Sequence, residues 1–314
     1  MPKITIYSWN TWGIPFANPK ALTQPAQCAD ELSKILINEG KENKEDLIVE
    51  CWSWRAGVGY FFIFLARLLE PLFGRLCTFP LLSLSLLLSL VIPIPRFLVY
   101  NTTRYFVKAL QEIFPHNTST RVRTLSFWRL LDSGLLTFSS KPIISCGFQP
   151  YKSSGGEDIF ANKGFIWALI ASDEGPVIVI NTHMQASGHV VQTQQVKEIG
   201  IWLDNSVPSL FERPVEHIFI AGDLNMDHAS LQNSQWSEVT KCFYQTIIIN
   251  DPTPTCCDVC LDHVAYAGKY KNILLQNSSE LLNSTCILSE NKILESKISD
   301  HHIQKVSIIK TNLN

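Results

Sequence analysis

Short apolar segments of strand length recur along this chain and alternate with segments of helical periodicity. The first, Lys3 to Trp9, alternates apolar and polar residues as a β-strand does, and Ala29 to Ile37 carries its leucine and isoleucine side chains on one helical face. Later strand-length segments lie at Leu47–Val49, Leu135–Phe138, Phe165–Ala171, Val177–Ile180, Ile218–Ala221, Asp262–Ala267 and Ile303–Ile309, and helical spacing returns at Tyr105–Phe114 and Thr193–Asn205. Many strands with a few helices between them predict a layered α/β or α+β sandwich.

One segment, Gly57 to Leu98, differs from the rest because it is mostly apolar and carries only four charged residues. Within it, Leu76 to Pro95 is a stretch of 20 uncharged residues, long enough for a helix to cross a bilayer core of ~30 Å. Prolines shorten the uninterrupted part to the 12 residues from Leu81 to Ile92, which suits an interfacial segment or a buried helix better. A transmembrane helix or hairpin, a membrane-docking element and an internal packing element all stay open.

Length and charge narrow the class of protein. The chain has 314 residues, and without the 42 residues of the apolar segment the remaining 272 fit one domain better than two. Its 26 basic and 28 acidic residues leave a net charge of −2, so we expect no dedicated nucleic-acid partner. The amino-terminal residues show no signal peptide, and the nine cysteines show no disulfide framework, so we expect a cytoplasmic protein with reduced thiols.

Polar clusters open or close most of the predicted strands. They are Asn10-Thr-Trp-Gly, Glu50-Cys-Trp-Ser, Ser133-Gly-Leu-Leu-Thr-Phe-Ser, Asn162-Lys-Gly-Phe, Asn181-Thr-His-Met-Gln-Ala, Gly222-Asp-Leu-Asn, Leu261-Asp-His-Val and Ser299-Asp-His-His. Each cluster alone is compatible with a turn, a core histidine or a surface residue. Together they place carboxylates beside apolar strands, where a charge is costly to bury unless it binds a metal or pairs with another group.

This ordered set of clusters resembles the endonuclease/exonuclease/phosphatase superfamily, whose prototype is deoxyribonuclease I. Gly-Asp-Leu-Asn and Ser-Asp-His are shared across that superfamily, and the clusters at 133–139, 162–165 and 181–186 are most similar to those of neutral sphingomyelinases. The resemblance runs from Ile4 to Ile309 and leaves out Gly57 to Leu98. It implies one catalytic domain over residues 1–314, folded as a four-layer sandwich of two packed mixed β-sheets flanked by helices, with an apolar helical insertion at 57–98.

The resemblance also implies a metal site. Asn10 and Glu50 match the metal-binding pair, with Glu50 as the direct carboxylate ligand of Mg2+, for which Mn2+ or Co2+ could substitute. Asp223 and Asn225 match the pair that positions the attacking water and a phosphate oxygen, and Asp300 matches the acidic partner that contributes to metal or water positioning. Such a site would present the hard oxygen ligands that a magnesium-type ion prefers.

Three further residues match the acid–base groups of the family. His301 matches the general base, Asp262 the carboxylate that orients it, and His183 the residue that stabilises or protonates the leaving side. A histidine suits the role of base because its ordinary pKa of ~6.5 lies near neutral pH. The resemblance therefore implies attack on a phosphodiester by a water that His301 activates.

Glu112 is a second candidate for the metal-binding glutamate. Gln111-Glu112 repeats the Gln-Glu pair that the superfamily usually has after its second strand, whereas the residue before Glu50 is Val49. Glu112, however, lies in the helical pattern Tyr105–Phe114, while Glu50 directly follows a predicted strand. We therefore favour Glu50.

The resemblance to neutral sphingomyelinases implies that the substrate is sphingomyelin and that the products are ceramide and phosphocholine. Such a substrate lies in a bilayer, so we expect a peripheral association with a membrane surface, with the segment 57–98 and the preceding Trp52 and Trp54 as candidate contacts. A nuclease or another phosphoesterase of the same superfamily is the alternative, since fold and metal site do not choose the substrate. A catalytically silent scaffold that holds a membrane partner is disfavoured, because every expected acid, base and amide is present.

Overall fold

A computed structural model gives the fold of this chain. It describes residues 3–10, 24–40, 46–52, 55–56, 100–101, 103–119, 122, 132–156, 158, 161–173, 175–186, 188–210, 215, 217–227, 230, 245–248, 254–256, 258–268, 273–274, 285–294 and 301–311. The apolar segment predicted at 57–98 lies outside these residues, as does Asp300.

The described residues form three helices and fifteen strands. The helices are α1 (Gln24–Gly40), α2 (Thr103–Leu110) and α3 (His189–Leu210). The strands are β1 (Lys3–Trp9), β2 (Asp46–Trp52), β3 (Arg55–Ala56), β4 (Tyr100–Asn101), β5 (His116–Asn117), β6 (Leu135–Ser139), β7 (Ile143–Pro150), β8 (Gly164–Ser172), β9 (Gly175–His183), β10 (His217–Asp223), β11 (Gln245–Ile248), β12 (Asp262–Gly268), β13 (Ile273–Leu274), β14 (Thr285–Leu294) and β15 (Ile303–Thr311).

Two mixed sheets contain most of these strands. The first has the order β13-β14-β15-β1-β2-β6-β5, the second has the order β11-β12-β10-β9-β8-β7, and β3 and β4 pair separately. In the first sheet β1 runs parallel to β2 and antiparallel to β15, and in the second β10 runs parallel to β9 and antiparallel to β12. Each of these parallel pairs needs a crossover connection, and α1 and α3 lie in the two connections.

The two sheets bury an apolar layer between them. Ile4 and Ile6 on one face of β1 belong to the same buried cluster as Phe219 of β10 and Val264 of β12. Because side chains two residues apart on a strand share a face, the alternation read from the first segment of the sequence predicts this layer.

The helices cover faces that these strands turn away from that layer. Trp9 of β1 packs in a cluster with Leu32 of α1 and Phe106 of α2. Ile180 of β9 packs in another cluster with Ile199 of α3. Helices therefore pack on both sheets, and the mixed α/β class predicted from the sequence is confirmed.

The layer between the sheets becomes polar toward the carboxyl ends of β1, β9 and β10. Ser8 and Asn10 continue the inward positions of β1, and both are buried. Asn181, His183 and Asp223 do the same on β9 and β10, and they too are buried. The polar clusters predicted at strand ends therefore begin where the apolar layer stops.

Two long strands were not predicted from the sequence. β7 is partly exposed along its length and β14 has the polar sequence Ser-Glu-Asn-Lys at its centre, so neither is a clear apolar run. The helix predicted at Thr193–Asn205 is longer at both ends, as α3. None of the described helices combines the length and the hydropathy of a membrane span.

Candidate active site

Strand register brings the predicted polar clusters to one edge of the two sheets. Asp223, the last residue of β10, is in register with His183 at the end of the parallel strand β9 and with Asp262 at the start of the antiparallel strand β12. His301 precedes β15, which is antiparallel to β1, and it lies beside Asn10 just after β1. All five side chains are buried.

A buried pair joins His301 and Asp262. His301 Nδ1 lies 2.7 Å from Asp262 Oδ2. The indole NH of Trp9 donates to the His301 carbonyl at 3.0 Å, and Thr255 Oγ1 accepts the backbone NH of Asp262 at 3.0 Å. Side chains of the first strand and of the loop before β12 therefore hold the backbone of both partners in place.

This pair determines which nitrogen of His301 can accept a proton. A carboxylate only accepts hydrogen bonds, so Nδ1 carries the proton and the neutral imidazole has its lone pair on Nε2. The Asn10 carboxamide fits this tautomer, because its Nδ2 donates to Asp223 Oδ2 at 2.9 Å and lies 3.3 Å from His301 Nε2. His301 therefore presents a proton-accepting Nε2 toward Asn10 and Asp223.

Asp223 lies at the centre of the site. Its Oδ2 is 3.8 Å from Nε2 of both His183 and His301, and its Oδ1 accepts the backbone NH of Asn225 at 2.9 Å. Burial and the nearby negative charge of Asp262 raise the pKa of Asp223 to about 6. The site thus holds a carboxylate whose negative charge is only weakly compensated by its neighbours.

Asn225 holds His183. Asn225 Nδ2 lies 2.8 Å from His183 Nε2 and donates to the Met184 carbonyl at 3.2 Å, so the amide nitrogen is the donor in both contacts and His183 Nε2 accepts. Burial lowers the pKa of His183 well below its usual range, and the nearby Lys163 amine and His301 imidazole lower it further. His183 is therefore neutral near neutral pH.

Two backbone features shape the end of β10 and the turn that follows it. Gly222 has a φ of 135°, and a Cβ at this position would lie 1.9 Å from the Thr182 carbonyl oxygen of β9, so only glycine fits. Asn225 has a φ of 52°, in the left-handed region that asparagine tolerates better than most residues. The Gly222-Asp-Leu-Asn cluster is thus a turn that directs both Asp223 and Asn225 into the site.

The amine of Lys163 adds a buried positive charge beside the loop that follows β9. Lys163 Nζ donates to the Met184 carbonyl at 2.8 Å and lies 3.6 Å from Asp158 Oδ1. Burial lowers the pKa of Lys163, and the negative charges of Asp158 and Asp223 oppose that effect. The Asn162-Lys-Gly-Phe cluster was singled out in the sequence without a role for its lysine, and only the fold shows where the amine lies.

The residues around Asp223 fit a divalent cation. Asp223, Asp262 and His301 each place one ligand atom within 4.8 Å of the others. Within the part of the chain that the structure describes, the buried Oδ1 of Asp262 has no hydrogen-bond partner. Two buried carboxylates, one with an unmet acceptor and one with a raised pKa, are hard oxygen donors whose charge a cation such as Mg2+ would neutralise.

Sequence comparison relates part of this chain to bacterial sphingomyelinases. No protein family model matches it. It is 30% identical to sphingomyelinase C of Bacillus cereus over 121 residues, which are 36% of this chain and 35% of that protein. It is 28% identical to sphingomyelinase C of Leptospira interrogans over 141 residues, 39% of this chain and 24% of that protein. The matched part therefore spans about a third or less of the relatives' length.

Structure comparison extends the likeness to nearly the whole chain. Sphingomyelinase C from Streptomyces griseocarneus superposes with a TM-score of 0.55 over 98% of this chain and 99% of that one, at 14% identity. This chain has the fold of sphingomyelinase C. The predicted resemblance to sphingomyelinases is therefore confirmed, in sequence over part of the chain and in fold over nearly all of it.

Two further structures have the same fold but contain different bound molecules. A beta toxin variant of Staphylococcus aureus with bound magnesium ions has a TM-score of 0.56 over 97% of this chain and 99% of that one, at 14% identity. TDP2 from D. rerio, complexed with a single-strand DNA product, has a TM-score of 0.53 over 98% of this chain and 99% of that one, at 11% identity. The fold thus accommodates a magnesium-containing toxin and a DNA-bound protein, so it does not by itself choose the substrate.

The structure brings together six of the eight predicted site residues, namely Asn10, His183, Asp223, Asn225, Asp262 and His301. Of Glu50 only the strand position is described. It lies within β2 rather than after a strand, in register with Ser8 of β1. Glu112 is exposed in the turn after α2, and Asp300 lies outside the described residues. The individual roles of all eight remain predictions.

The structure also shows polar residues that support the site and were not singled out in the sequence. Thr255 Oγ1 accepts the backbone NH groups of Leu261 and Asp262. Gln192 of α3 donates to the carbonyl of Asn225. Gln192 lies just before the helix predicted at Thr193–Asn205 and Thr255 lies in a loop, so the sequence carried no clear signal for either.

Proposed function

We propose that this chain is a metal-dependent phosphodiesterase that hydrolyses sphingomyelin to ceramide and phosphocholine. The observation that carries the proposal is the buried His301–Asp262 pair, whose orientation presents a proton-accepting Nε2 to Asp223 and Asn10. Such a pair suits activation of a water for attack on a phosphodiester. The partial sequence similarity to sphingomyelinase C supports the choice of sphingomyelin.

His301 takes the proton of the attacking water at Nε2. As the imidazole becomes an imidazolium, the Asp262 carboxylate stabilises the new positive charge through the hydrogen bond at Nδ1. Asp223 and Asn225 position the water and a phosphate oxygen, and the turn after β10 holds both of them at the edge of the sheets. For Asp300, the proposed role in positioning the metal or the water rests only on the resemblance to the superfamily.

Glu50 and Asn10 are the proposed ligands of a divalent ion, with Mg2+ as the proposed ion and Mn2+ or Co2+ as substitutes. When bound, the ion supplies positive charge that stabilises the negative charge developing on the phosphate oxygens. The register of Glu50 with Ser8 supports the pairing, because residues in register on neighbouring strands share a face and Asn10 follows Ser8 by two residues. The bound magnesium ions of the beta toxin variant also support a divalent metal.

For His183 the electrostatics support stabilisation of the leaving side rather than its protonation. The lowered pKa leaves no imidazolium to protonate the leaving oxygen near neutral pH. The nearby amine of Lys163 supplies positive charge to the same side of the site, and Asn225 fixes the imidazole through Nε2.

A substrate panel tests the proposed function. Sphingomyelin, lysophospholipid, phosphatidylcholine and DNA are each assayed with magnesium and with a chelator. We expect turnover of sphingomyelin that depends on magnesium and is lost on chelation. Preferential cleavage of DNA would support the nuclease alternative. The structural likeness to DNA-bound TDP2 favours the same alternative. Absence of turnover on every substrate would support the scaffold.

The choice between two glutamates for the metal is tested by matched variants. Glu50→Gln removes the proposed carboxylate ligand, so we expect magnesium-dependent activity to fall by about 10²-fold or more. Glu112→Gln is the same substitution at an exposed position and should leave both activity and magnesium dependence unchanged. The opposite pattern would transfer the ligand role to Glu112.

We propose that one catalytic domain spans residues 1–314 of a cytoplasmic, peripherally membrane-associated protein, and that the apolar segment 57–98 docks on the membrane. A substrate that lies in a bilayer requires contact of this kind. The test is flotation with sphingomyelin liposomes of the wild type and of a folded variant that lacks residues 60–95. We expect the deletion to lose liposome binding. If the deletion variant binds liposomes as the wild type does, segment 57–98 does not dock on the membrane, and a role in internal packing is supported.

A further inference from the structure

Gln192 is a buried polar residue on the apolar face of α3. The buried positions of this helix recur at helical spacing, and in its first turns two of them, Gln192 and Gln195, are glutamines, whereas the later ones, such as Ile199 and Leu203, are apolar. A glutamine at a core position is costly unless its amide is fully hydrogen-bonded. The contacts of Gln192 therefore need an explanation.

Its side-chain amide joins the two loops that follow β9 and β10. Gln192 Nε2 donates to the carbonyl of Gln185 at 2.9 Å and to the carbonyl of Asn225 at 2.8 Å. An amide nitrogen has two hydrogens, so these two bonds use its donors completely. One side chain thus connects a loop two residues after His183 with a turn two residues after Asp223.

The turn that Gln192 contacts contains an unusual backbone conformation at Asn225. Asn225 has a φ of 52°, in the left-handed region, which asparagine tolerates better than most residues and which surrounding contacts stabilise. Its backbone NH donates to Asp223 Oδ1, and its carbonyl accepts from Gln192. With both ends of the residue fixed, its side chain reaches His183 Nε2 at 2.8 Å.

We propose that Gln192 is a positioning residue that locks the two loops of the active site to each other and keeps the Asn225 carboxamide on His183. The effect of Gln192 on turnover rests on the proposed phosphodiesterase function, whereas the locking of the loops does not. Gln192 does not contact substrate or the reacting atoms in this assignment. It acts through the backbone carbonyls of Gln185 and Asn225.

The kinetic test compares the same substitution at two positions of α3. Gln192→Met keeps the length of the side chain and removes both donors, and Gln194→Met changes an exposed residue of the same helix. We expect kcat for sphingomyelin to fall about 10- to 100-fold in Gln192→Met with KM nearly unchanged, the size typical of losing a residue that orients a ligand or catalytic group. Gln194→Met should keep wild-type kcat. A kcat within twofold of wild type in Gln192→Met would overturn the proposal.

A double-mutant cycle shows whether Gln192 acts through Asn225. If it does, adding Gln192→Met to Asn225→Ala slows the enzyme much less than Gln192→Met alone, because the group being positioned is already gone. Effects that multiply fully in the double variant would contradict the proposed route and assign the loss to general destabilisation.

Hydrogen exchange provides a readout that needs no activity. We expect backbone amide exchange in Gln192→Met to rise in peptides that cover residues 184–186 and 223–227 and to stay unchanged in the strands β1 and β15. Unchanged exchange in the 223–227 peptide would overturn the proposal. The two proposals can fail separately. If the wild type is inactive but the Gln192→Met variant shows the expected exchange, the proposed function is contradicted and the locking of the loops is supported.

Discussion

The layer between the two sheets has an apolar half and a polar half that are continuous along the same strands. Ile6 of β1 and Phe219 of β10 belong to the apolar half. Four residues further along the same strands, Asn10 and Asp223 are also buried and lie in hydrogen-bond contact with each other. Burial is thus similar in the two halves, and only the chemistry of the side chains changes.

The two halves contribute to stability with opposite sign. Burial of an apolar side chain such as Phe219 stabilises the fold by roughly 1.5–3 kcal/mol. In the polar half the fold raises the pKa of Asp223 and lowers the pKa of His183, which means that it disfavours the charged form of each. The apolar half therefore supplies the stability that keeps the polar groups together, and variants can separate the two contributions.

The largest effect is expected at the proposed base. His301→Ala removes the group that accepts the water proton, so kcat should fall by about 10²- to 10⁴-fold while the protein stays folded. The measurement is steady-state hydrolysis of sphingomyelin together with the melting temperature. His302→Ala is the matched control, because His302 is the adjacent residue and its backbone NH, which the substitution keeps, donates to the Thr255 carbonyl.

Equal activity losses in the two histidine variants would show that the loss comes from local disruption. Near-wild-type activity in His301→Ala would show that His301 is not the base. The polar half of the layer would then lack its proposed catalytic role.

The next effect concerns the apolar half. Phe219→Ala leaves a cavity between the sheets, so the free energy of unfolding should fall by ~3–5 kcal/mol. Ile144→Ala, at an exposed position of β7, should change it by less than ~0.5 kcal/mol. Urea titration measures both. A small loss at Phe219 would mean that the inter-sheet layer contributes less to stability than its burial indicates.

The smallest expected effect is a gain in stability, in contrast to the loss expected at Phe219. Asp223→Asn removes a carboxylate whose pKa is raised from 3.8 to about 6, so at pH 8 and without metal the free energy of unfolding should rise by up to about 3 kcal/mol. Catalytic activity should be lost at the same time. Chemical unfolding in chelator measures the gain, and magnesium should stabilise the wild type more than the variant.

The pH dependence checks the cause of that gain. A carboxylate whose pKa is higher in the folded state stabilises the fold fully below its ordinary pKa of 3.8 and loses this contribution as pH rises through about 6. The advantage of Asp223→Asn over the wild type should therefore be small near pH 4 and grow up to about pH 7. An advantage that does not change with pH would refute burial of the charge as its source.

Much of the fold could be predicted because the strands are short apolar segments or alternate with a period of two, and much of the candidate site because the clusters at strand ends resemble those of a known superfamily. Lys3–Trp9 shows the alternation directly, and the clusters at Asn10, Asp223 and Asp262 interrupt apolar strands where a structural reason is hard to find. The same approach failed for β7 and β14, since neither is apolar enough to be distinguished from a loop.

Supporting contacts could not be predicted in the same way. Thr255 and Lys163 reach the site across loops, and no local pattern distinguishes a threonine or lysine that bonds a distant backbone group from one on the surface. Gln192 lies before the start of the predicted helix, and the two carbonyls to which it donates belong to other elements.

The sequence alone determined the alternation of strands and helices, the identity of the acids, amides and imidazoles, and their location at strand ends. Tertiary structure decided which of them meet. Strand register sets Asp223 opposite both His183 and Asp262, and the antiparallel return of β15 brings His301 to Asn10. The physical reason is that side-chain chemistry is local to each residue, whereas distances, tautomers and pKa values depend on neighbours that are distant along the chain, such as Asn10 and His301, which are 291 positions apart.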